Sequence, residues 1–185
     1  MKKIVLSLCI SLVAATGFAQ EESNGFGGFG GPLFQVGSVN GQTSLIIGGG
    51  GGFIFKYHYF IGGYGEGMVT PNSTEKVGLT NHSFNLSHGG PWFGYIAKFN
   101  KNNGMFLSAK LGWGSATLIE DAAVSYINRY FVVNPSVEYE RIFTPYFKIG
   151  VGVAWPFYNG IDNPAYNDKD VSNPAAFISI RLGYF

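Results

Sequence analysis

Three histidines, His58, His82 and His88, are the side chains best suited to metal ligation or proton transfer near neutral pH. Two stand beside a hydroxyl, His82 before Ser83 and His88 after Ser87, which is the pairing a serine nucleophile needs. Adjacent residues on a strand point to opposite faces, so sequence neighbours of this kind do not meet there, and no third group completes a triad. Asp162, Asp168 and Asp170 could attract a hard cation, but their number and spacing match no calcium loop, and a solvated loop accounts for them. The sequons at Asn72, Asn81 and Asn85 read as loop polarity. The Gly25 to Gly30 stretch lacks the strand and helix that a dinucleotide fingerprint requires. These residues lead us to expect no catalytic residue, no metal and no cofactor.

A second set of ionisable residues has a more coherent placement. Lys110, Glu138, Glu140 and Arg181 each fall three to five residues from the same end of a β-prone segment, and Glu66 and Lys148 can join them. If these positions line a narrow interior, they form one charged layer in which the ions must pair, because a lone ion away from water is costly. Such a layer is either an ion-pair plug that fixes strand register or the filter of a gated conduit. Eight strands leave an interior just filled by side chains, which favours the plug.

The elements that would position these residues begin after an export signal. Met1, Lys2 and Lys3 precede an apolar run from Ile4 to Ala15, and the small residues Gly17 and Ala19 suit a signal peptidase. The expected organisation is a signal peptide over 1–19, a flexible Gly/Phe-rich segment over 20–31, and one β-domain over 32–185. Cys9, the only cysteine, lies mid-core after Leu8, which does not suit a lipoprotein, and its removal leaves no thiol chemistry. Loss of Lys2 and Lys3 takes the formal charge from +1 to −1, with no basic patch for nucleic acid. Charged residues make up 12% of the chain, about half the usual share, beside 28 glycines and 17 phenylalanines. No second apolar run is long enough for a membrane helix, so only a closed barrel could span lipid.

Eight β-prone segments follow, near 32–39, 44–55, 59–69, 83–99, 105–118, 129–143, 147–158 and 175–185, bounded by Gly, Pro, Asn and Asp. Short connections at 56–58, 100–104 and 144–146 alternate with long polar ones at 70–82, 119–128 and 159–174, as in a transmembrane barrel with both termini in the periplasm. In the seventh segment Phe147, Ile149, Val151, Val153, Trp155 and Phe157 share one face, opposite Lys148, Gly150, Gly152, Ala154 and Pro156. The fifth and sixth repeat the pattern, with Leu111, Trp113, Val133 and Tyr139 on the bulky face. Large apolar residues opposite glycine fit a narrow barrel with an unrestricted outer wall, and glycine would make a poor soluble surface. The phase of the fourth segment changes around Gly89, Gly90 and Pro91, where we expect a bulge. The run Gly48 to Gly52 either lets strands pack closely or marks an irregular stretch.

The C-terminus, Phe177 to Phe185, resembles the terminal signal of outer-membrane barrels, with Ile180, Leu182, Tyr184 and the final Phe185 as its elements. Phe185 falls on the face opposite Ile178, Ile180, Leu182 and Tyr184, which a bulge would reconcile. With the eight-segment layout, the chain resembles the small barrel class represented by the outer-membrane protein A barrel, and uncharacterised outer-membrane β-barrel domain families. The resemblance implies an all-β, closed antiparallel up-and-down transmembrane β-barrel of about eight strands, located in the outer membrane of a Gram-negative bacterium. It also implies the barrel assembly machinery, periplasmic chaperones, lipids and lipopolysaccharide as partners. The function expected is a structural, adhesion or binding role through external loops, with a narrow pore and a lipid-modifying enzyme as the alternatives.

Overall fold

The computed structural model of the protein describes residues 25–70, 82–120 and 123–185. The signal peptide expected over 1–19 and residues 20–24 lie outside the described residues. The chain forms the antiparallel strands β1 (Gly27–Val39), β2 (Gln42–Phe55), β3 (Tyr59–Met68), β4 (His82–Lys98), β5 (Asn103–Glu120), β6 (Ala123–Thr144), β7 (Phe147–Ala154), β8 (Phe157–Asn159) and β9 (Ala175–Tyr184). A short helix, α1 (Asp168–Val171), precedes β9. Consecutive strands pair from β1 through β7, β7 pairs with β9, and β9 returns to β1, so the sheet closes with no free edge around its waist. β8 pairs with β6 just above β7, beyond the interruption at Trp155 and Pro156, so the two act as one wall strand. The ring therefore has eight strands.

The register fixes how strongly those strands tilt. From Glu140 the paired residues run through Gly150, Ser179, Leu33, Gly48, Glu66, His88 and Gly114, and return to β6 at Tyr130. The offset after one circuit is ten residues, and with eight strands it corresponds to a tilt of about 40°. β1 and β2 join through Asn40 and Gly41, both at positive φ, the two-residue turn that matches strand twist.

Alternation holds in β5, β6 and β7 as the sequence implies. Trp113, Tyr139, Val151, Val153 and Trp155 are exposed on the outer wall, while Lys110, Glu138, Lys148 and Gly150 are buried inside. Val151 is 53% exposed and Lys148 1%, so β7 turns its bulky face outward and its charged face into the lumen.

Four expectations are corrected. β1 begins at Gly27, within the segment expected to be a flexible leader, and Phe29 is buried in the barrel interior. Residues 123–128, expected as loop, continue β6 and pair with β5 through a bulge at Leu118 and Ile119. β4 keeps one register with β3 and β5 past Gly89 to Pro91, so no bulge is present there, and the glycine run of β2 is regular strand. The apparent change of phase has another cause: three apolar residues point inward, Phe84 and Leu86 beneath a loop that covers them and Trp92 into an aromatic cluster with Phe29, Phe60 and Phe106. Phe185 also needs no bulge, because alternation simply continues and turns its ring inward against the Phe29 cluster.

Candidate functional site

The interior is built in tiers, each supplied by inward positions of several strands. At the end holding both termini, β6 contributes Glu138 and Glu140, β7 contributes Lys148, and β9 contributes Ser179 and Arg181, all at most 2% exposed. Lys148 and Arg181 are direct cross-strand partners, a like-charge pairing that is unfavourable alone. The two carboxylates compensate: Arg181 donates to both Glu138 and Glu140, Ser179 donates to Glu138, and Lys148 Nζ lies 3.6 Å from Glu140 Oε2. Two anions and two cations thus balance within one buried cluster, the arrangement that a low-dielectric site demands.

At the same level the other side of the lumen is aromatic. Phe29, Phe60, Trp92 and Phe106 pack mutually with centroids 4.5 to 5.7 Å apart. The Arg181 guanidinium lies 3.6 Å from the Phe106 centroid and so joins the two halves, while Lys148 Nζ sits 3.8 Å from the centroid of Phe185.

Above this tier Glu66 forms a second polar group. Its carboxylate accepts from Lys110 Nζ at 2.8 and 3.2 Å and lies 3.2 Å from His88 Nε2, and His88 Nδ1 is 3.1 Å from the Tyr130 hydroxyl. The expected single layer is therefore two groups, Glu66 with Lys110 above and Glu138, Glu140 and Arg181 below. Lys110 pairs in register with Asn134, four residues along β6 from Glu138, and the ten-residue offset brings it to Glu66 instead. His88 and Tyr130 were not assigned to this set from sequence; their inward parity was the available signal.

The far end is sealed by the loop 160–174. Ile161, Ala165, Tyr166 and Val171 are buried with Phe84, Leu86, Leu118 and Val132, and Tyr166 stacks on Phe84 at 4.1 Å. This corrects the expectation of a wholly solvated loop. Two of its three acidic residues serve the backbone: Asp168 accepts from the Ile161 and Gly160 amides at 2.7 and 3.3 Å, and Asp170 accepts from the Asn167 amide at 3.0 Å. Asn167 caps α1 in return through Lys169 N. Ser87 faces outward and His88 inward, so that pair does not meet; His58 lies in a turn against Tyr95 and the Lys56 carbonyl. The His82 side chain lies outside the described residues.

No family model matches this sequence, and no curated protein does. Among solved structures, Neisserial surface protein A superposes with a TM-score of 0.61 at 11% identity, covering 89% of this chain and 99% of that one. The attachment invasion locus protein Ail of Yersinia pestis, solved with the heparin analogue sucrose octasulfate, superposes with a TM-score of 0.54 at 10% identity, covering 88% and 99%. The chain has the fold of a small, eight-stranded outer-membrane β-barrel. In this barrel the apolar outer face of β9 is formed by Ile178, Ile180 and Leu182, with Tyr184 beside Tyr146. The end opposite the termini carries a β5–β6 hairpin whose Val124, Tyr126 and Ile127 are exposed.

Proposed function

We propose that the protein is an exported, non-enzymatic outer-membrane barrel with a closed lumen, acting by what it presents at its outer end. The observation that carries this reading is the filled interior: an ion-pair and aromatic tier, the Glu66 group, and the loop 160–174 seated over Phe84. A conduit would need an open path through all three. The outer wall supports insertion in lipid. Outward aromatics cluster at two levels, Trp113, Phe131, Trp155 and Phe157 above and Tyr139, Phe143 and Tyr146 below. Along β6, Phe131 is about 21 Å above Tyr139 and about 31 Å above Phe143 at the rise and tilt of such strands, which brackets the usual apolar band of about 25 Å.

Presentation is supported by the exposed Val124, Tyr126 and Ile127 on the hairpin, an apolar surface at an end that meets water. Two proteins of similar fold are named for the cell surface and for attachment, which agrees with a binding or adhesion role. Purified full-length chain in planar bilayers is expected to be electrically silent. Stepwise conductance altered by Lys110→Gln or Glu138→Gln would replace this reading with a pore, and a changed lipid profile on expression would replace it with an enzyme.

A further inference from the structure

Just above the upper aromatic level, the outer wall carries a polar row. Ser87 of β4 pairs with Ser115 of β5, and Ser115 pairs with Arg129 of β6, so the three stand side by side on the outward face. The row directly beneath is Gly89, Trp113 and Phe131. Between the rows lies a shallow, open depression bounded by Ser87, His88, Gly89, Trp113, Gly114, Ser115 and Arg129. Trp113, 60% exposed, forms one wall. Arg129 is exposed, and no carboxylate of the described residues pairs with it.

The floor continues sideways without side chains. Gly89 is the direct partner of Gly65, and Gly65 of Gly49, so a shallow recess runs from the depression across β4, β3 and β2. Nothing lies within 4 Å of where a side chain on Gly65 would begin. A cation and two hydroxyls above, with an indole wall and a bare apolar recess below, match a molecule that is anionic at its head and aliphatic beneath. The vertical position selects among such molecules. One residue pair above the aromatic girdle is the level of lipid head groups in the outer leaflet, where a guanidinium can bind phosphate with two parallel hydrogen bonds.

We propose that Arg129, Ser87 and Ser115 bind the phosphate of a phosphorylated, acylated glycolipid of the outer leaflet, with one acyl chain lying against Trp113 and Gly89. This rests on the membrane reading above and adds a named lipid site to it. The test uses the full chain in phosphatidylcholine nanodiscs, titrated with diphosphoryl lipid A, with bound lipid counted by native mass spectrometry. Half-occupancy for Arg129→Ala is expected at about tenfold more lipid A, the effect of losing one charged hydrogen-bonding partner. Arg141→Ala, an outward arginine at the opposite end already engaged with Asn103 Oδ1 at 2.9 Å, is expected to bind as the parent does. Unchanged binding by Arg129→Ala overturns the site, as does equal occupancy by phosphatidylglycerol. A parent chain that gives no folded, heat-modifiable band overturns the membrane reading instead, and this site with it.

Discussion

Glu138 of β6 and Arg181 of β9 meet across an intervening strand, through the space that Gly150 of β7 leaves unfilled. A β-carbon built at position 150 falls on the Glu138 carboxylate, so glycine there is a requirement of the ion pair rather than of backbone conformation. A barrel of eight strands has little interior volume, and this one seats a guanidinium and a carboxylate by omitting a side chain between them.

Gly150→Ala is therefore expected to displace Glu138 and cost about 3 kcal/mol, the range for breaking a buried ion pair. Gly65→Ala, on the outer wall with open space around it, is expected to change stability by less than about 0.5 kcal/mol. Denaturant midpoints of both variants refolded in the same detergent check the contrast. Equal effects would mean that Gly150 does not seat the carboxylate.

Arg181→Met leaves Glu138 and Glu140 facing each other with only Lys148 nearby, and a loss of about 3 to 5 kcal/mol is expected. Adding Glu138→Gln removes one of the surplus charges and is expected to restore a substantial part of that loss. A double-mutant cycle measures the coupling, and simple additivity of the two changes would contradict the pairing.

The loop 160–174 is held by Asp168, whose carboxylate binds two backbone amides at its start. Asp168→Ala is expected to cost the loop about 1 to 2 kcal/mol and to speed cleavage within it by about tenfold under external protease, where cleavage follows the population of the opened form. Mass mapping of fragments from proteoliposomes checks this. Equal cleavage of parent and variant would show that Asp168 does not hold the loop down.

The outward rows were legible where faces contrast, as in β7 with Val151 against Gly150 and Gly152, and in β6 with Tyr139 between Glu138 and Glu140. β4 was harder. Phe84, Leu86 and Trp92 face inward while Phe93 and Tyr95 face outward, so apolar residues occupy both faces and period-two reading finds a false break. The charges were legible as interior residues, but their grouping depended on tilt: Lys110 meets Glu66, 44 residues away, because paired residues climb ten positions per circuit. The inward burial of Tyr166 and Ile161 had no periodic signal, since it arises from a loop folding back over the barrel mouth. The start of β1 was hidden by glycine, which carries no face preference, leaving Phe29 as the one informative residue there.

The orientation of the wall can be read directly from the three tryptophans, since Trp113 and Trp155 point outward and Trp92 is 3% exposed inside. In single-tryptophan variants reconstituted with lipids brominated on the acyl chains, strong fluorescence quenching is expected for Trp113 and Trp155 and little for Trp92. Quenching of Trp92 with Trp113 and Trp155 unaffected would contradict a barrel that turns its bulky face to lipid and its charges inward.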